Sequence, residues 1–174
     1  MQECYQQIRI LELSDRDYLP RPTDGMLASF EQAHGFLLPN SYRKFVQHFG
    51  AGELVGLWSI ASPMPAQDQF ELGEYNSGRH GLPEERLLQS YGPEEFTSSF
   101  FFFADDGDHF FGWKLDETTD PQENEYAIYE FGCITELPRY AGSFGELVGR
   151  ALAQCREWEP EPKFTRFEQG ITFK

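Results

Sequence analysis

Cysteine is scarce in this 174-residue chain. Cys4, Cys133 and Cys155 are odd in number and show no CxxC spacing, which excludes a disulfide framework and suits a reducing compartment. Long apolar runs are missing as well. No stretch approaches the roughly 20 residues that span a bilayer. The amino-terminal MQECYQQIRILEL lacks a basic segment followed by an apolar one, so neither export nor membrane insertion is expected and the cytoplasm is the expected location. Positive charge is the third deficit. Fourteen Lys and Arg stand against 29 Asp and Glu, for a net charge of -15. Without basic clusters to meet phosphates, direct nucleic-acid binding is not expected.

Aromatic side chains are plentiful by contrast. Seventeen Phe, eight Tyr and three Trp in a chain that is 40% hydrophobic can fill one core but hardly two, so residues 1–174 are expected to form a single domain. Each fully buried ring stabilises the fold by about 1.5–3 kcal/mol. The acidic charge is unevenly spread: residues 1–50 and 142–174 are nearly neutral, whereas residues 51–141 hold eighteen Asp and Glu against Arg79, Arg86, Lys114 and Arg139. Such a concentration is either a solvated face that keeps the chain dispersed or a docking surface whose field accelerates the approach of a basic partner.

Helix signals frame the acidic segment. Thr23 or Asp24 caps a helix running to His34, with Leu27, Phe30 and His34 on one stripe and Gly35 as its stop. In LPNSYRKFVQHFG, Pro39 suits a first turn and Gly50 a left-handed end, while Tyr42, Phe45, Val46 and Phe49 form one apolar face. Ser143 and Glu146 have capping-box spacing, followed by the stripe Phe144, Leu147, Val148, Ala151, Leu152 and Cys155.

Strand signals fill the centre. ELVGLWSIASP reads as one strand through Leu54, Trp58 and Ile60. Phe100–Ala104 and Phe110–Leu115 flank an Asp-Gly turn, and Tyr126–Phe131 follows the turn-rich TTDPQEN. Short connections favour antiparallel pairing, so the expected fold is α+β, a central antiparallel sheet with helices packed on one side. Pro83 opens a candidate helix to Gln89 in an otherwise loop-like 64–99, and residues 159–174 read as a tail or edge strand.

Catalytic and cofactor signatures are weak. Gly50-Ala51-Gly52 begins a GxG, but Val55 holds the place of the third glycine, so it reads as a helix stop. Asp105, Asp106 and Asp108 do not fit a calcium loop, because Phe102 and Ala104 hold positions that need acids and Trp113 the position that needs Glu. His34, His48, His80 and His109 have no zinc spacing. No GxSxG elbow and no Walker lysine occur. No metal, no cofactor and no catalytic residue are therefore expected.

The order of elements resembles the SUKH superfamily, which includes the fungal Smi/Knr regulators and many bacterial immunity proteins. The matching features are Leu38-Pro39, Tyr42 and Phe45, Gly50 and Gly52, the Asp105-Asp106-Gly107-Asp108 turn, and the closing helix from Ser143. The similarity covers about residues 24–158; the chain departs from it in the long acidic segment 61–99 and in the tail after Pro160. The resemblance implies an α+β domain without catalytic residues that binds and neutralises a cognate toxin domain. Many such effectors are nucleases with basic clefts. The expected contacts are then Asp105, Asp106, Asp108 and His109 at the hairpin tip and Glu71, Glu74 and Glu84 in the neighbouring segment, with Tyr75 and Trp113 as aromatic anchors, the other reading of Trp113 being a core position. Two other readings stay open at this point: a regulatory scaffold of a multiprotein pathway, and a hydrolase built from dispersed acids such as Glu84, Glu85 and Asp106.

Overall fold

Successive side chains of an extended strand point to opposite faces, so the four consecutive phenylalanines Phe100 to Phe103 fit only a strand covered on both sides. In the computed structural model, which describes residues 5–12, 16–64, 71–76, 99–132, 139–158 and 161–169, Phe100, Phe102 and Phe103 are buried and Phe101 is half-buried. Among the described residues the chain forms β1 (Arg9–Leu11), α1 (Asp24–His34), α2 (Asn40–Phe49), β2 (Gly52–Leu54), β3 (Trp58–Ile60), α3 (Leu72–Asn76), β4 (Phe100–Asp105), β5 (Phe110–Asp120), β6 (Glu125–Phe131), β7 (Arg139–Ala141), α4 (Phe144–Cys155) and β8 (Lys163–Arg166). The strands join one sheet in the order β1-β8-β2-β3-β4-β5-β6-β7. The fold is α+β, as expected. The sheet is antiparallel except at one edge, where β1 and β8 pair in parallel because both ends of the chain enter there side by side.

One face of the sheet carries the helices. A bulge between Phe102 and Ala104 lets Phe103 stack on Trp113 at 4.2 Å. Tyr42 of α2 lies against both rings. Phe144 of α4 touches Tyr42, Phe45 and Phe103, and Phe30 of α1 meets Phe101 edge-on. The apolar face expected for α2 is therefore the centre of the core, with Tyr42, Phe45, Val46 and Phe49 fully buried. Phe100 and Phe102 both contact Phe131 on the opposite face.

Helix ends follow their local signals where those exist. The Thr23 hydroxyl accepts from the Met26 amide, and Gly35 stops α1 with φ 73°. His34 is exposed, lying over Phe30 and Phe101 rather than continuing the buried stripe. Ser143 accepts from the Glu146 amide at 3.1 Å, while the Glu146 carboxylate reaches back to the Gly142 amide at 2.8 Å, one residue earlier than a standard box. Pro39 stands at the cap of α2 instead of inside its first turn and offers no side-chain acceptor.

That gap is closed from the sheet. The carboxylate of Glu125, only 2% exposed, accepts from the Ser41 amide at 2.9 Å and the Ser41 hydroxyl at 2.7 Å. It also accepts from the Phe144 amide at 3.3 Å. One buried side chain at the start of β6 thus caps α2 and α4 together. Two positive helix ends and three donors hold its charge, and without them burying a carboxylate would be prohibitive.

Two strand expectations change as well. The segment 53–63 is not one strand. Val55 and Gly56 both take positive φ, 53° and 69°, and with Leu57, whose amide donates to the Leu54 carbonyl, they form a three-residue connection between β2 and β3, whose register pairs Leu54 with Trp58. The carboxyl-terminal strand is not an edge. β8 lies between β1 and β2, with Phe164 buried against Phe45 and Phe49. Glycine at position 52 permits this approach: a Cβ there would overlap the Thr165 carbonyl oxygen and the Phe164 ring. The candidate helix from Pro83 to Gln89 lies outside the described residues.

The two kinds of contact predict different costs. Phe45 is fully buried and touches Tyr5, Phe49, Phe144 and Phe164, so Phe45→Ala is expected to cost about 3–5 kcal/mol. Ser143→Ala removes one cap and is expected to cost about 0.5–2 kcal/mol. Urea midpoints in the reverse order would contradict this placement of the core.

Candidate partner-binding surface

Asp-Gly at a hairpin tip sets the geometry of the β4–β5 turn. Gly107 takes φ 90°, and the Asp106 amide donates to the His109 carbonyl at 3.0 Å. The carboxylates then fold back on the turn: Asp105 accepts from the Gly107 amide at 3.1 Å, and Asp106 accepts from the Asp108 and His109 amides at 3.1 and 2.8 Å. The His109 Nδ1 lies 3.2 Å from both Asp106 oxygens, and its Nε2 is 3.8 Å from Glu130. The imidazole packs so closely on Gly132 that any Cβ there would overlap it. Asp106 and His109 are therefore tied into the turn, Asp105 sits half-buried opposite Ser59, and Asp108 is exposed.

Of the other expected contacts, Glu71 and Trp113 are described, and neither lies at this tip. Glu71 is half-buried, bridged to Ser62 at the start of α3. Asn76 closes α3 onto β4 by taking the Phe102 amide on its Oδ1 and giving its Nδ2 to the Phe102 carbonyl, both at 2.7 Å. That anchor lies three residues of strand, about 10 Å, from Asp105. Glu74 and Tyr75 belong to α3, but their side chains lie outside the described residues, as does all of Glu84. Trp113 is corrected from surface anchor to core: it is wholly buried between Phe103 and Tyr42, because the sheet face it occupies is the one under the helices.

A second acidic stretch is not singled out by the sequence signals, which mark TTDPQEN as a turn. β5 runs on to Asp120, so Asp116, Glu117, Asp120 and Glu123 lie along the far β5–β6 hairpin. The chain's own groups largely satisfy them. Glu117 meets Lys114 at 3.4 Å, Arg139 at 3.3 Å and the Tyr129 hydroxyl at 2.9 Å, and Glu123 meets Lys44 at 3.5 Å. Asp120 accepts from the Gln122 and Glu123 amides. Partial burial pushes Glu117 up, but hydrogen bonds from Tyr129 and Lys114 outweigh it and hold the carboxyl below its ordinary 4.5. The hydrogen bond to Glu117 raises Lys114. Among the described residues no Lys or Arg pairs with Asp106 or Asp108.

The sign for Glu117 follows from linkage. A carboxyl lowered by folding adds stability above its unfolded value and loses it as pH falls through the folded one. Wild type is therefore expected to be more stable than Glu117→Gln at pH 7, with the difference closing as pH drops below about 4.5. Because Glu117 and its cationic partners are only partly buried, salt is expected to shrink the difference too. Urea midpoints for both proteins across pH 3–7 check this; a gap that widens toward acid would contradict it.

Among the described residues, no three His, Cys, Asp or Glu side chains gather to hold a metal ion, and no helix is long and apolar enough to cross a membrane. No curated protein matches the chain. The SMI1 / KNR4 family (SUKH-1) matches over residues 21–150, from the approach to α1 to the middle of α4, and leaves β1 and β8 outside. With well over half its length matched, the chain belongs to the SMI1 / KNR4 family (SUKH-1).

Proposed function

We propose that this protein is a non-catalytic binding protein of the immunity type, acting in the cytoplasm by covering and neutralising the effector domain of a cognate toxin. The partner is a basic protein surface such as a nuclease cleft. The observation that carries this reading is the β4–β5 turn, whose backbone is locked by Asp105 and Asp106 while Asp108 is exposed. A preorganised turn gives up little conformational entropy on docking, and its charge steers a basic partner. Membership of the family supports a protein partner in general; the acidic turn is what favours a basic one. Residues 1–174 are taken as a single unit, supported by the insertion of β8 between β1 and β2.

Because Asp106 holds the turn together, reversing all three aspartates would alter its shape as well as its charge. Asp108→Lys separates the two. Against the toxin domain encoded beside this chain, the variant is expected to associate at least several-fold more slowly at low ionic strength, with the difference fading as salt screens the field. The urea midpoint should stay within about 0.5 kcal/mol of wild type. Equal association rates at low salt would remove the turn from the interface, and the absence of any complex with that toxin domain would remove the immunity reading itself.

A further inference from the structure

We draw no further inference here: the strongest candidate, the aromatic sheet face opposite the helices where Phe100, Phe102 and Phe131 pack together beside Tyr129, carries nothing because no described residue shows what covers it.

Discussion

Glu125→Ala is expected to destabilise the fold by about 3–5 kcal/mol, more than almost any other single polar substitution in the chain. The size comes from what is left behind. The Ser41 and Phe144 amides each lose their carboxylate acceptor, and a buried donor without a partner costs about 1–3 kcal/mol. The positive ends of α2 and α4 also lose the negative charge that sits between them, worth up to about 2 kcal/mol in partly buried geometry. Glu125→Gln keeps one carbonyl oxygen and turns an NH2 group toward the remaining donors, so an intermediate loss is expected. Ser41→Ala in the Glu125→Ala background is expected to cost less than in wild type, since the hydroxyl's acceptor has already gone. Urea unfolding of wild type, the two Glu125 variants, Ser41→Ala and the Glu125→Ala/Ser41→Ala double variant tests this. Additive losses, or a Glu125→Ala change below about 1 kcal/mol, would show that the two helices do not depend on a shared cap.

This cap also marks the limit of what the sequence makes legible. Ser143 and Glu146 are three residues apart, and that spacing alone announces the start of α4. The partner of Ser41 lies 84 residues away, and no window of sequence connects them. The same contrast runs through the sheet. Asp-Gly between two apolar runs identifies the β4–β5 hairpin correctly, because glycine at φ 90° is what the turn requires. Val55 at φ 53° hides the β2–β3 turn, since a β-branched residue is among the least expected at positive φ and only the surrounding packing holds it there.

Burial on both faces blurs the aromatic positions further. A strand with one wet face would separate Trp113, as core, from a surface aromatic by alternation alone. In β4 and β5 both faces carry large apolar side chains, so alternation cannot say which aromatic is free to meet a partner. The acidic candidates are limited differently. Composition locates charge in the middle of the chain but does not reveal that Glu117 and Glu123 are matched by Lys114, Arg139 and Lys44. Lys114 is local to Glu117 on β5, but Arg139 and Lys44 come from β7 and α2, and their pairings exist only once the sheet has formed.

A chain ended after Trp158 is expected not to fold stably, although the segment that matches the family would be complete within it. Deleting β8 removes the strand between β1 and β2, strands β1, and takes Phe164 from beneath Phe45 and Phe49. The segment between them is lost as a partner too: Leu19 donates its amide to the Phe167 carbonyl at 2.9 Å, Arg166 donates to the Leu19 carbonyl and pairs with Glu12 at 2.7 Å, and Arg16 pairs with Glu168 at 2.8 Å. The ion pairs at this edge are partly exposed and contribute little, so the apolar contacts decide the outcome. Phe164→Ala alone is expected to cost about 3–5 kcal/mol, a large share of the 5–15 kcal/mol typical of a domain. Gly52→Ala approaches the same contact from the other side. Its methyl would strike the Thr165 carbonyl and the Phe164 ring and is expected to cost about 1–3 kcal/mol or more by pushing β8 away. With the Phe164 ring removed, part of that clash disappears, so the double variant is expected to lose less than the two single losses combined. Thermal unfolding followed by circular dichroism compares all four proteins with the shortened chain. A shortened chain that melts cooperatively at the temperature of the full one would mean that β1 and β8 decorate the family fold without supporting it.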